Sequence, residues 1–211
     1  MSNGQQGQEF GAALADVLFG DVEPSGRLPI TLPLGENDLE MSASQWPGVR
    51  TKRKPTVLSP ATGDDYVMRV EYSEKLLVGY RGYDAKGIAP AFAFGHGLGY
   101  TSFEYSSLEC SRGAVSFTLT NSGRRDGSTV AQLYLGFPSG AGEPARQLKG
   151  FKKLYLHAGA SQRVTLPLDD RALSIWDADS HKWAVQAGAF GCFVGESSRD
   201  VRLDGSFKVT A

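Results

Sequence analysis

The sequence predicts a mainly β chain: an antiparallel β-sandwich in its C-terminal half, preceded by a helix–strand unit and a long connector. Three observations carry this. Apolar and polar residues alternate in short runs through residues 106–211, as Val115, Phe117 and Leu119 do against Ser116, Thr118 and Thr120. Turn residues such as Asn121-Ser122-Gly123 and Asp126-Gly127 punctuate those runs, as in a sandwich with turns every 8–12 residues or so. Only residues 10–19 show clear helical spacing.

Residues 1–35 read as a helix and a strand. Phe10, Leu14, Val17 and Leu18 recur at helical spacing, and Ala12, Ala13 and Ala15 favour a helix between them. Gly20 is a natural stop, and Pro24-Ser25-Gly26 turns the chain. Leu28 to Leu32 then reads as a short apolar strand. Pro29 and Pro33 put it at an edge or at a strand end, because proline cannot donate to a ladder. Glycine-rich turn, helix, turn and strand together make half of a βαβ unit, whose helix needs a sheet to pack on. In the isolated chain, its apolar face is expected either to fold back on the connector or to pair two copies as a homodimer. The polar, glycine-rich connector is a poor docking face, which favours pairing.

Residues 36–105 are rich in Pro, Gly and polar side chains, and little regular structure is expected there. The basic cluster Arg50, Lys52, Arg53 and Lys54 reads as a solvated loop. So long an irregular stretch is unusual inside a compact domain. It suits a connector laid over neighbouring surfaces, with Tyr72, Tyr80, Tyr83, Phe92, Phe94, Tyr100 and Phe103 as anchors.

Residues 106–211 carry the sandwich. Val115 to Leu119, Val130 to Leu135, Arg163 to Leu168, Trp183 to Gln186, Phe190 to Val194 and Val201 to Val209 read as strands, about seven in all with those less clearly marked.

Composition narrows the function. Of 211 residues, 41% are hydrophobic and 21% charged, ordinary values for a globular chain. The net charge of −1 gives no electrostatic case for nucleic acid or an anionic membrane. No apolar run approaches the roughly 20 residues of a membrane span. Met1 to Phe10 has neither a basic start nor an apolar stretch, so no signal peptide is expected there. His96, His157 and His181 are scattered, and Cys110 and Cys192 lack metal-ligand spacing, so neither metal nor cofactor is expected. Cys192 alternates with Phe190 and Val194 and faces inward. It is either a buried free thiol or half of a Cys110–Cys192 disulfide.

No local motif assembles a catalytic triad or a phosphate loop. Asp16, Asp21, Glu23, Glu71, Glu74, Asp84, Asp177 and Asp179 read as exposed or capping carboxylates. Two groups have a functional reading beside the structural one. Tyr80, Arg81, Tyr83 and Asp84 either anchor the connector or shape the rim of a pocket. Trp176 and Trp183 either pack at the core or edge of the sandwich or stack on sugar rings.

Seven blocks in order resemble glycoside hydrolase family 3, the β-glucosidase and β-xylosidase family. GQEFGAALADVLFGDVEPSGRLPITLP (7–33) is similar to the end of its α/β sandwich domain. YSEKLLVGYRGYD (72–84) and PAFAFGHGLGYTSF (90–103) resemble its connector. NSGRRDGSTVAQLYLG (121–136), LKGFKKLY (148–155), RALSIWD (171–177) and GAFGCFVGESS (188–198) resemble its C-terminal domain. The resemblance implies a fibronectin type III-like, that is immunoglobulin-like, topology for the sandwich. Two positions depart from the pattern: Phe10, where relatives usually carry glycine, and Gly82, where they often carry an aromatic.

The resemblance also implies a parent reaction, retaining hydrolysis of terminal β-D-glucosides by two carboxylates. In the family, the nucleophilic aspartate lies on an N-terminal barrel and the acid/base glutamate lies upstream of the helix at residues 10–19. No residue of this sequence matches either, so no catalytic residue is assigned and the chain alone is expected to be inactive. Three roles remain open: an accessory portion of a β-glucosidase, an autonomous module binding a β-glucoside or polysaccharide, and a small enzyme with other carboxylates. Full-length relatives are often secreted or periplasmic.

Overall fold

A computed structural model describes residues 7–52 and 66–210, so Arg53 and Lys54 of the basic cluster lie outside the described residues. The elements are helices α1 (Phe10–Phe19) and α2 (Tyr80–Lys86), and strands β1 (Val49–Lys52), β2 (Tyr66–Arg69), β3 (Phe103–Cys110), β4 (Ala114–Asn121), β5 (Gly127–Gly136), β6 (Gln147–Leu156), β7 (Ser161–Pro167), β8 (Ser174–Asp177), β9 (Lys182–Val185), β10 (Gly188–Gly195) and β11 (Val201–Val209).

Two antiparallel sheets form the sandwich. One has the order β11-β10-β5-β6, the other β3-β4-β7. The sandwich has seven strands, about the number expected, and five of the six runs read as strands are among them. Trp183 to Val185 belongs to a separate hairpin, β8–β9, and the sandwich instead includes β3 and β6. Alternation sorts β4 as expected: Val115, Phe117 and Leu119 have no exposed surface. Its outer face is held by hydroxyl pairs across the ladder, Ser116–Thr165 at 2.9 Å and Thr120–Ser161 at 2.7 Å. Phe190 is fully buried and stacks on Phe207, with ring centres 5.4 Å apart.

Strand β5 breaks the alternation. Ala131, Gln132, Leu133, Tyr134 and Leu135 are all buried. Ala131, Leu133 and Leu135 join the core between the sheets. Gln132 and Tyr134 point the other way and are covered by the connector. The connector is thus a third layer on the four-stranded sheet, and it is more structured than expected: it contains α2 and the hairpin β1–β2.

Helix α1 matches the expected span, and Gly20 closes it in the left-handed conformation at φ 86°, donating its N–H to Val17. None of its residues is buried, and Leu18 and Phe19 are 60% and 86% exposed. Leu28 to Leu32 does not form the strand expected. It lies beside connector residues 91–96, through Leu28 N to His96 O at 2.9 Å, Gly95 N to Leu28 O at 2.8 Å and a single bridge from Leu32 to Phe92. Pro29 and Pro33 have no N–H to give, so the ladder cannot extend.

Candidate functional site

A cavity of about 340 Å³ lies where the three segments of the chain meet, lined among others by Glu23, Arg27, His96, Thr101, Glu196 and Arg202. The local fold dictates its polar wall. Turn 24–26 aims Arg27 at the sandwich, where its guanidinium donates to Thr129 Oγ1 at 2.6 Å and to Glu196 Oε2 at 3.4 Å. Both side chains of that ion pair are largely buried. Burial pushes the Glu196 carboxyl up from its ordinary value, against the opposing pull of Arg27 and Arg202. Glu23 accepts the Tyr100 N–H with both carboxylate oxygens, at 2.8 and 2.9 Å. Asp200 is bound by Arg202 Nε at 2.6 Å. Each carboxylate of the cavity therefore already has a fixed protein partner.

Sequence reasoning missed Gln132. Its side-chain amide donates to Gly95 O at 3.1 Å and to Glu196 O at 2.6 Å, while its own oxygen accepts the Tyr134 hydroxyl at 2.6 Å. One buried side chain thus ties connector, sandwich loop and sheet together. The signal in the sequence was a polar residue inside the apolar run Val130 to Leu135.

The structure brings Tyr80, Tyr83 and Asp84 together on α2 and turns them toward the protein. Tyr80 stacks on Phe94 at 5.0 Å, meets Tyr134 edge-on at 5.8 Å and accepts the Leu148 N–H at 2.9 Å. Tyr83 is buried, and its hydroxyl reaches Asp38 at 3.3 Å. Asp84 pairs with Arg199 at 2.7 Å and with Arg146 at 3.7 Å. Arg81 is half-buried beside them. The exposed or capping reading of the carboxylates is thereby corrected for Asp84: burying the connector leaves its carboxylate to be satisfied by a charged donor on the facing segment. Gly82 sits where an added Cβ would meet Leu77 O at 2.6 Å, so this turn has no room for an aromatic side chain.

Trp176 and Trp183 are also brought together, as a directly opposed pair on β8–β9 with ring centres 5.5 Å apart and planes tilted by 56°. They are 49% and 45% exposed, outside the core. A hairpin set apart from both sheets offers them no opposing layer. The Arg171 guanidinium covers one face of Trp183 at 3.1 Å. Asp177 caps the turn between them, accepting from the N–H of Asp179 and from the Ser180 hydroxyl. Among the described residues no cluster of His, Cys, Asp or Glu could hold a metal ion.

Two family models match this chain. Residues 1–100 match the glycosyl hydrolase family 3 C-terminal domain, and residues 129–198 match the fibronectin type III-like domain. A probable beta-glucosidase L of Aspergillus fumigatus is 42% identical over 98% of this chain and 28% of its own length. The thermostable beta-glucosidase B of Acetivibrio thermocellus is 40% identical over 97% of this chain and 26% of its own. Among solved structures, a family 3 beta-glucosidase of Bifidobacterium adolescentis superposes with a TM-score of 0.82 at 35% identity, covering 96% of this chain and 28% of that one. Beta-glucosidase 3B of Thermotoga neapolitana does so at 0.81 and 37%, covering 98% and 27%. The chain thus spans little more than a quarter of the relatives it matches. It belongs to glycoside hydrolase family 3 and corresponds to its C-terminal portion, the end of the α/β sandwich domain followed by the fibronectin type III-like domain.

Proposed function

We propose that this chain is the structural portion of a β-glucosidase, bracing the domains that hydrolyse terminal β-D-glucosides and performing no hydrolysis itself. One observation carries this: Glu23, Glu196 and Asp200, the carboxylates around the junction cavity, are each held by a protein donor. A retaining glycosidase instead keeps two carboxylates about 5–5.5 Å apart and open to a sugar. The purified chain is expected to show no turnover of aryl β-glucosides. Turnover that persists through purification and is lost in Glu196→Gln would overturn the proposal, since Glu196 is the buried carboxyl best suited to act as an acid.

A second reading rests on the exposed Trp176–Trp183 pair. Indole faces stack on the apolar faces of pyranose rings, so the hairpin would serve as a binding site for a β-linked polysaccharide. Co-sedimentation of the chain with insoluble β-glucan, lost in Trp176→Ala, would favour this role over pure bracing.

A further inference from the structure

We propose that Cys110 and Cys192 are a latent cross-sheet disulfide, a site of oxidation by small-molecule disulfides. Cys110 ends β3 in the three-stranded sheet, and Cys192 lies within β10 in the four-stranded sheet. The two sheets meet there, where edge strands β3 and β11 lie against each other. Cys192 stands directly opposite Gly205 on β11, so the two positions share one face of the sheet. Gly205 has no side chain to fill that face. The place its Cβ would occupy is 3.3 Å from the Cys110 sulfur and 3.1 Å from Leu108 Cδ2. The gap lets Cys110 lean across β11 toward the face that Cys192 occupies. Both are free.

The two thiols differ in access. Cys192 has no exposed surface, whereas Cys110 is half-buried at the sheet edge. Burial raises both thiols above their ordinary value, so oxidation is slow at neutral pH and quickens as pH rises. The half-buried Cys110 reacts first. Its thiolate attacks a disulfide R–S–S–R, forming Cys110–S–S–R and releasing one R–SH. The Cys192 sulfur then attacks the Cys110 sulfur, forming the protein disulfide and releasing a second R–SH. The protein gives up two protons and two electrons, and one disulfide becomes two thiols.

The test uses the full chain and oxidised glutathione at mildly alkaline pH. Expected are loss of both alkylatable thiols after denaturation, a linked peptide pair containing Cys110 and Cys192, and an unfolding midpoint raised by roughly 5–10 °C for a closed loop of about 80 residues. Dithiothreitol should reverse all three, and Cys110→Ser should abolish them. A lasting glutathione adduct on Cys110 with Cys192 still free, disulfide-linked dimers, or two thiols untouched while a urea-unfolded control oxidises would each overturn the proposal.

Discussion

Asp126 shows how one side chain can organise a turn. It accepts the Ala158 N–H at 2.9 Å, meets His157 Nδ1 at 2.7 Å and accepts the Tyr155 hydroxyl at 3.0 Å. These donors, the Ala158 amide foremost, hold its carboxyl at about 2, below the ordinary 3.8. The sign follows from that lowering. The unfolded chain takes up the proton first, so the contribution of Asp126 is complete above the unfolded value and is lost as pH falls through the folded one. The gap in unfolding midpoint between the chain and its Asp126→Asn variant should be constant near neutrality and shrink between about pH 4 and 2. A carboxyl carbon titrating near 4 by NMR would show that these contacts do not persist in solution. At this scale the sequence was partly legible. Asp126-Gly127 marked a turn, but its three partners come from about 30 residues away, and no local pattern reports them.

Among the elements, β4 and α1 were read correctly because their residues obey local rules: strict alternation in one, an alanine-rich apolar stripe closed by Gly20 in the other. Strands β3 and β6 escaped for opposite reasons. β3 has an irregularity between Ser106 and Glu109, with Ser107 at φ 54°, which shifts the alternation halfway. β6 lies at the sheet edge, and its Lys149, Lys152 and Lys153 suit an exposed edge while hiding the strand pattern. Helix α1 also carries a consequence for association. Burying side chains such as Leu18 and Phe19 is worth roughly 1.5–3 kcal/mol each, yet both are exposed. Two copies of the isolated chain are therefore expected to pair through α1, giving a dimer mass by light scattering and a monomer for the Leu18→Ser, Phe19→Ser variant. A monomer at every concentration for the unaltered chain would remove pairing as an outcome. Substitution is a cleaner test than removing residues 1–35, which also removes Arg27 and its bonds to the sandwich.

For the whole molecule, the three-segment order was legible, but its layering was not. The aromatic residues of the connector read as anchors for neighbouring surfaces, and Tyr72 is indeed exposed. Tyr80, Tyr83 and Phe94, however, turn onto this chain, and Phe103 belongs to the core as the start of β3. The reason is Tyr134 and Gln132, two residues on the outer face of β5 that need a cover, which a strand pattern alone does not announce. A fragment of residues 101–211 keeps the core and the bond from Thr101 to Asn121 at 2.6 Å. It should fold cooperatively, with a lower midpoint than the intact chain and with dye-binding apolar surface exposed around Tyr134. An unfolded fragment by circular dichroism would mean that the connector layer is part of the minimal fold.

The Arg27 contacts also impose a timetable. Arg27 leaves the ribosome 102 residues ahead of Thr129 and 169 ahead of Glu196. At about 5–20 residues per second, the guanidinium waits roughly 8–34 s for its carboxylate. The loop between β10 and β11 thus closes the ion pair of Arg27 after the bonds from Tyr100 to Glu23 and from Arg125 to Gly20 O can already have formed. Until it arrives, Arg27 lacks its carboxylate partner, and the exposed Leu18 and Phe19 of α1 are available to whatever surface stands nearest.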